Sequence, residues 1–405
     1  MSEKPTTFLC VSCYFKGADF MRACKEAGNK VYLLTAKNLE NKPWPRESID
    51  EIFYVEEDSD KNWNMKDLLN GLAYVMQSKK IDRVVALDDF DVERVANIRE
   101  HFRIPGMGET TGRYFRDKLA MRMKAKDSGI AVPEFSAIFN DAEVNHFADT
   151  VPAPWLVKPR SEASATGITK AHNKEELWKI IHGLGDKRHR YLVERFAPGD
   201  VYHVDTLSNE GKIVFTNSSK YVNTPMEVAH DGGIFRSATV KYGSADDKAL
   251  QKINKEVMKH FGMVDSASHS EFIKSHATGE LLFLETSSRV GGAHLAEMVE
   301  ASSGVNLWKE WAKLETAVAR GEKYKAPKSQ KKYSGIVISL SRFQHPDTSE
   351  FTDSEIWWTM EEENHIGFIF QSDSQERILE LLDNYAERIF NRFHASAPVP
   401  DKPTH

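Results

Sequence analysis

Cysteine is scarce: three residues in 405, Cys10, Cys13 and Cys24, all within the first 25 positions. That excludes a disulfide scaffold. Cys10 and Cys13 have the C-x-x-C spacing that a redox pair or half a zinc site would use. No second pair completes a zinc set, and Val11 with its neighbours reads as a buried strand. The expectation is structural, reduced thiols and a cytoplasmic setting. No apolar run reaches the roughly 18–20 residues that span a bilayer, so no membrane partner is expected. MSEKPTTFLC lacks the basic-then-apolar order of a secretory signal. A basic excess is missing too: 54 Lys+Arg against 60 Asp+Glu give a net charge of −6, which argues against a nucleic-acid partner. Lysine-rich KAPKSQKKY at 325–333 reads as a solvated linker. No G-x-G-x-x-G follows the first strand, so nothing supports a dinucleotide there. Internal repeats and low-complexity tracts are absent.

What is present is an alternation. TFLCVSCY, VYLLTA and IDRVVALDD read as strands, separated by the helical ADFMRACKEAG and DLLNGLAYVMQSK. This predicts an α/β unit over 1–108, a Rossmann-like parallel sheet with covering helices. Asp88, Asp89 and Asp91 fall at the carboxyl end of a strand, where ligands gather; capping of the helix VERVANIRE explains them equally well. An α+β unit follows over 109–320, divided at 196/197 into a smaller and a larger part. A last α/β unit over 333–400 carries strands GIVISLS and IGFIFQS and the helix SQERILELLDNYAERIFNRF. Trp357 and Trp358 either contact substrate or fill this unit's core.

The chemistry concentrates in SHSEFIKSHATGELLFLETSSRVGG, residues 268–292. It reads as two strands joined by a turn at Thr278-Gly279. Alternation places His269, Glu271 and Ile273 on one face of the first, and Leu281, Phe283, Glu285 and Ser287 on one face of the second. Folding about residue 278 sets Glu271 opposite Glu285. Facing Cβ atoms lie roughly 4.5–5.5 Å apart and like charges there are destabilising, so a cation belongs between them. With Arg289 four residues on, the set suits Mg²⁺ carrying phosphate. Two glutamates on a solvent-facing hairpin are the plain alternative. Gly291-Gly292, leading into the helical AHLAEMVEASSGVNLWKEWAKLETAVA, would offer backbone N–H groups to an anion.

In order, RDKLAMRM, LVKPRSEASATG, LVERFAPGDVYHVD and SEF…LETSSR resemble the ATP-grasp superfamily over roughly residues 105–320. The first 105 residues resemble the domain that precedes it, and residues 335–395 the small cap of the biotin-carboxylase-like and amino-acid-ligase branches. The resemblance implies that Lys118 and Lys158 meet a nucleotide's phosphates and adenine edge. The loop Ser161–Gly167 would close over the triphosphate with Ser161, Ser164 and Thr166; Gly167 is its one glycine, where many relatives have several. Glu194, Arg195 and Phe196 would read the adenine amino group, and His203 would touch the nucleotide. Glu271 and Glu285 would hold Mg²⁺ (or Mn²⁺), with Ser287 where an asparagine is common. Arg289 would steady the γ-phosphate and an acyl phosphate, with Glu285 and Lys158 completing the catalytic set. Gly291, Gly292 and His294 would line the acceptor side, with Asp231 and Gly232 from the loop 228–235. A solvent-facing Lys118, a satisfied sheet histidine at 203 and a plain connecting loop at 228–235 stay open.

The implied activity is an ATP-dependent, ADP-forming carboxylate–amine ligase working through an acyl phosphate on small molecules, with a homodimer as the relatives' usual assembly. Bicarbonate-using carboxylase, purine-pathway ligase and nucleotide-binding regulator are the alternatives.

Overall fold

The computed structural model describes residues 5–58, 62–163, 166–226, 228 and 232–396. Its first sheet is all parallel, in the order Glu51–Val55, Lys30–Ala36, Thr7–Ser12, Arg83–Ala86. Thr7–Ser12 is buried along its whole length, as expected of a parallel strand covered on both faces. Glu51–Val55 is a strand that the sequence reading did not place. Cys10 and Cys24 are buried, Cys13 is half-buried, and all three thiols are free.

The second sheet is antiparallel and small: Phe135–Ala137, Tyr191–Arg195, Trp155–Pro159, Thr169–Ala171. Helices Asp141–Thr150 and Lys174–Leu184 close its core through Val144, Phe147, Leu177 and Ile181. Asn140 and Asn173 cap their N-termini with side-chain oxygens.

The third sheet has eight antiparallel strands, in the order Leu281–Ser287, Ser266–Ser275, Gly199–Asn209, Lys212–Tyr221, Phe235–Thr239, Tyr333–Leu340, His365–Ser372, Ile356–Thr359. The C-terminal unit thus extends the central sheet, since Phe235–Thr239 pairs directly with Tyr333–Leu340. One face packs Tyr202, Val204, Phe272 and Phe283 on helix Ala245–Phe261, with Phe261 and Phe283 rings 5.3 Å apart. The other face carries polar residues at its centre. Helices Leu295–Ser303 and Leu307–Arg320 cover its apolar remainder through Met298, Val299 and Trp311.

Candidate active site

The hairpin pairs as its alternation requires: Glu271 faces Glu285, and His269 faces Ser287. One correction follows. The register shifts next to Glu271, because a β-bulge at Leu284 inserts an extra residue. Phe283 therefore turns into the core, fully buried, and does not share a face with Glu285 and Ser287. The bulge also frees a carbonyl: Leu284 O accepts from Arg122 Nη1.

The paired acids continue a polar row across the sheet, since Glu271 also pairs with His203 and His269 with Asp205. Tyr221 Oη donates to Glu271 Oε1 at 2.8 Å, and His269 Nε2 lies 3.6 Å from the same oxygen. Burial alone would raise the Glu271 carboxyl, but His269 and Tyr221 hold it below its ordinary value. His269 Nδ1 sits 2.9 Å from Asp205 Oδ1. Burial works against its charge, yet Asp205 outweighs that and lifts the imidazole to about 9. His203 is wholly buried, with Nδ1 2.8 Å from Asp205 and Nε2 2.8 Å from Ser237 Oγ. Of the two readings left open for it, the structure has the satisfied sheet histidine.

Lys118 is not a solvent-facing lysine. Its Nζ lies 2.8 Å from Glu285 Oε2 and donates to Glu162 O at 2.7 Å. Asp117 sets this position by capping helix Lys118–Asp127 through the amides of Leu119 and Ala120, and is itself clamped by Arg160. Ser287 Oγ is buried and, among the described residues, makes no hydrogen bond of normal geometry, though it lies beside the Asp89 carboxyl and helps to lower it. Two facing carboxylates and that hydroxyl form an all-oxygen set that fits a hard divalent cation.

Arg289 donates to Val290 O at 2.9 Å, and its Nε lies 3.8 Å from Asp89 Oδ1 in the first domain. Asp89 also receives Arg116, whose other amine donates to Ser161 O in the loop after Trp155–Pro159. Burial would raise the Asp89 carboxyl, but the Arg116 and Arg289 guanidiniums outweigh it and hold it below the usual range. Asp88 caps Phe90 and pairs with Lys16 at 2.6 Å, while Asp91 binds Cys13 N and Arg94. Only one of the three acids therefore reaches the site.

Lys158 and Glu194 form a buried ion pair, and Arg122 Nε reaches the other Glu194 oxygen at 3.0 Å. Burial pulls Lys158 down to about 8 against the opposing Glu194. Glu194, pushed up by burial, is held below its ordinary value by Arg122 and Lys158. Arg195 points outward to Glu134, and the Phe196 amide donates to Pro154 O. Thr166 is buried, and Gly167, at φ 72°, packs where a Cβ would come within 2.9 Å of Pro159.

The glycine pair does not open a helix. Helix Leu295–Ser303 starts three residues later, after Ala293 and His294 at φ 50° and 56°. Two non-glycine residues in the left-handed region are strained, and such strain clusters at ligand sites. Gly291 instead packs on the polar row: a Cβ there would lie 3.0 Å from both Asp205 Oδ1 and His269 Nδ1. His294 packs on Trp358 with ring centroids 4.6 Å apart and the planes tilted by 35°, and lies 3.6 Å from Glu297 and 3.5 Å from Glu362. Trp358 thus meets the segment 291–294. Gly232, at φ 67°, packs near Ser396. Ser164 and Asp231 lie outside the described residues.

The sequence reading missed Arg116, Arg122, Tyr221, Asp205 and His269 as site members. The one available signal was the i, i+4 spacing of Lys118 and Arg122, which puts both on one helical face.

Residues 125–270 match the family described as D-ala D-ala ligase C-terminus. The chain is 27% identical over 266 residues to the L-arginine-specific L-amino acid ligase of Bacillus subtilis, an alignment covering 64% of this chain and 62% of that protein. It therefore spans less than two thirds of that relative's length. Among solved structures, the L-amino acid ligase from Bacillus licheniformis superposes with a TM-score of 0.76 at 14% identity, covering 97% of this chain and 99% of that one. The N5-carboxyaminoimidazole synthetase from Staphylococcus aureus complexed with ADP gives 0.71 at 13% identity, over 96% and 98%. The chain has the ATP-grasp fold.

Proposed function

We propose that this chain is an ATP-dependent, ADP-forming carboxylate–amine ligase that joins amino acids, or a small carboxylic acid to an amine. The observation that carries the reading is the register that sets Glu271 opposite Glu285, with Lys118 on Glu285 and Arg289 beyond Ser287. Glu271, Glu285 and Ser287 would hold Mg²⁺ or Mn²⁺, which when bound neutralises phosphate charge. Lys118 and Lys158 would meet the nucleotide's phosphates and adenine edge, Lys158 held there by Glu194. Arg289, held by Asp89, meets the charge that develops as the γ-phosphoryl group moves to the substrate carboxylate. An amine then displaces phosphate and leaves an amide. The segment Gly291–His294 forms the acceptor wall, and the free thiols agree with a cytoplasmic setting.

One observation supports a second reading. The fold is also similar, at a TM-score of 0.71, to that of a structure named as an N5-carboxyaminoimidazole synthetase, which keeps a bicarbonate-using or purine-pathway ligase in view. Phosphate and ADP release from Mg·ATP, screened over single amino acids and pairs with bicarbonate as a separate arm, separates the two. Release that requires an amino-acid pair supports the first reading; bicarbonate-driven release replaces it with the second. Release with neither overturns both.

A further inference from the structure

A cavity of about 420 Å³ lies where the first sheet meets the large one, between Arg83 and Arg99 on one side and Trp311 and Val318 on the other. That volume falls within the roughly 300–1,000 Å³ of small-molecule sites. Val92, Met107, Trp311 and Val318 make much of its wall apolar.

Its charges are unevenly satisfied. Glu315 takes Arg83 Nε at 3.0 Å and Trp311 Nε1 at 3.3 Å. Asp265 accepts from Asn209 and from the Glu210 amide, both at 2.8 Å. Arg99 has only carbonyls: Nε and Nη2 both donate to Val84 O, Nε at 2.9 Å, and Nη1 donates to Met107 O at 3.4 Å. Among the described residues it forms no ion pair. Burial pushes its guanidinium down to about 10, with Arg83 adding to the effect and Glu315 opposing it. A half-buried guanidinium without an ion-pair partner keeps a side free for an anion. The loop is shaped around it: a Cβ at Gly106, φ 139°, would lie 2.8 Å from Arg99 Nε.

We propose that this cavity is a second ligand site, taking a small monoanion with an apolar body, an arylalkyl carboxylate, whose carboxylate meets Arg99 while its body packs on Trp311, Met107 and Val318. A guanidinium presents a planar fork matched to a carboxylate, and the flanking apolar wall suits an aryl group. Ser288 also lines the cavity, and its carbonyl accepts from Ser266 Oγ at 3.2 Å. Ser288 lies between Ser287 and Arg289, so the cavity backs onto the hairpin end that carries both; calling that end the phosphoryl-transfer centre rests on the ligase reading.

The test is calorimetric titration of the full chain with phenylacetate, with and without saturating Mg·ADP. Inorganic phosphate serves as the anion without a body. Wild type is expected to bind phenylacetate one to one in both conditions, and phosphate much more weakly. Arg99→Met and Val318→Trp should each weaken binding about tenfold or more, the scale of one charged hydrogen bond, while Arg289→Ala leaves it unchanged. Val318→Trp plugs the space without touching the arginine and decides the matter if Arg99→Met does not fold. Failure of phenylacetate to bind, affinity unchanged by the plug, loss of binding in Arg289→Ala, or displacement by Mg·ADP would each overturn the site. None of these outcomes bears on the amino-acid-dependent phosphate release that tests the ligase reading.

Discussion

Tyr221 Oη lies 2.8 Å from Glu271 Oε1, a bond from the last residue of one strand to a carboxylate two strands away. Burial, with Glu271 adding to it, pushes the phenol well above its ordinary value, so it stays a donor through the working pH range. The ring is held separately, 4.8 Å from His203 and 5.8 Å from Phe235. Tyr221→Phe should therefore keep the packing and lose only the orientation of Glu271. A hydrogen bond to a charged group contributes about 1.5–3 kcal/mol, so the Mg²⁺ concentration for half-maximal ATP turnover should rise about tenfold or more. Mn²⁺ titration followed by electron paramagnetic resonance checks this without turnover. An unchanged metal affinity would leave Tyr221 as core packing.

Asp89 faces two guanidiniums, hydrogen-bonding Arg116, which also holds Ser161 O, and lying 3.8 Å from Arg289 Nε. Asp89→Asn keeps the size and removes the charge. Arg289 then loses its fixed direction, and kcat should fall about 10–100-fold, in the range found when a preorganised charge is lost. The KM for ATP should move much less. Steady-state phosphate release gives the split, and a KM effect alone would contradict it.

Glu285 is partly exposed, and its ion pair with Lys118 is near solvent. Pairs of that kind contribute about 0–1 kcal/mol, so Glu285→Ala should leave urea unfolding almost unchanged. ATP turnover should fall about 10²-fold or more if the carboxylate holds the metal. Near-normal turnover would remove Glu285 from the metal site.

What could be read in advance was local. The turn near Thr278-Gly279 and the alternation around it brought Glu271 close to Glu285. The pairs beside the turn, Lys274 with Leu281 and Ile273 with Leu282, run on to Leu284 opposite Glu271, and the bulge there is what sets Glu285 in that place. The bulge at Leu284 could not be read, since an inserted residue changes the facing of Phe283 without altering composition. Asp89 and Arg289 stand 200 positions apart, and nothing in either segment names the other. Arg116 and Arg122 flank Lys118 in sequence, and nothing local shows that one reaches Asp89 and Ser161 O and the other Glu194 and Leu284 O. The C-terminal strands read correctly as strands, but their continuity with Phe235–Thr239 is a pairing choice that periodicity does not encode.

His294 joins the segment after Gly291-Gly292 to the C-terminal strands through Trp358 and Glu362. Burial works against its charge, but Glu297 and Glu362 outweigh it and lift the imidazole to about 9. A raised base stabilises the fold fully below its unfolded pKa of about 6.5 and loses that contribution as pH climbs through about 9. Both acids are well exposed, which screens the effect to about 1 kcal/mol or less. Urea unfolding of wild type and His294→Gln from pH 6 to 9.5 should show a stability gap that closes as pH rises. A constant gap would assign His294 to packing alone.

Gly291 and Gly292 are neighbours with opposite surroundings, which separates structure from substrate contact. A Cβ on Gly291 would press on Asp205 and His269 at 3.0 Å, whereas one on Gly292 would meet nothing within 4 Å. Overpacking of a filled site costs about 1–3 kcal/mol, so Gly291→Ala should lower the melting temperature and disturb the row that holds Glu271. Gly292→Ala should melt like wild type. If the open side of Gly292 is where the acceptor sits, the added methyl raises the amine's KM and leaves the Mg²⁺ requirement alone. Unchanged kinetics with every amine tested would move the acceptor pocket away from the glycine pair, toward His294 and Trp358.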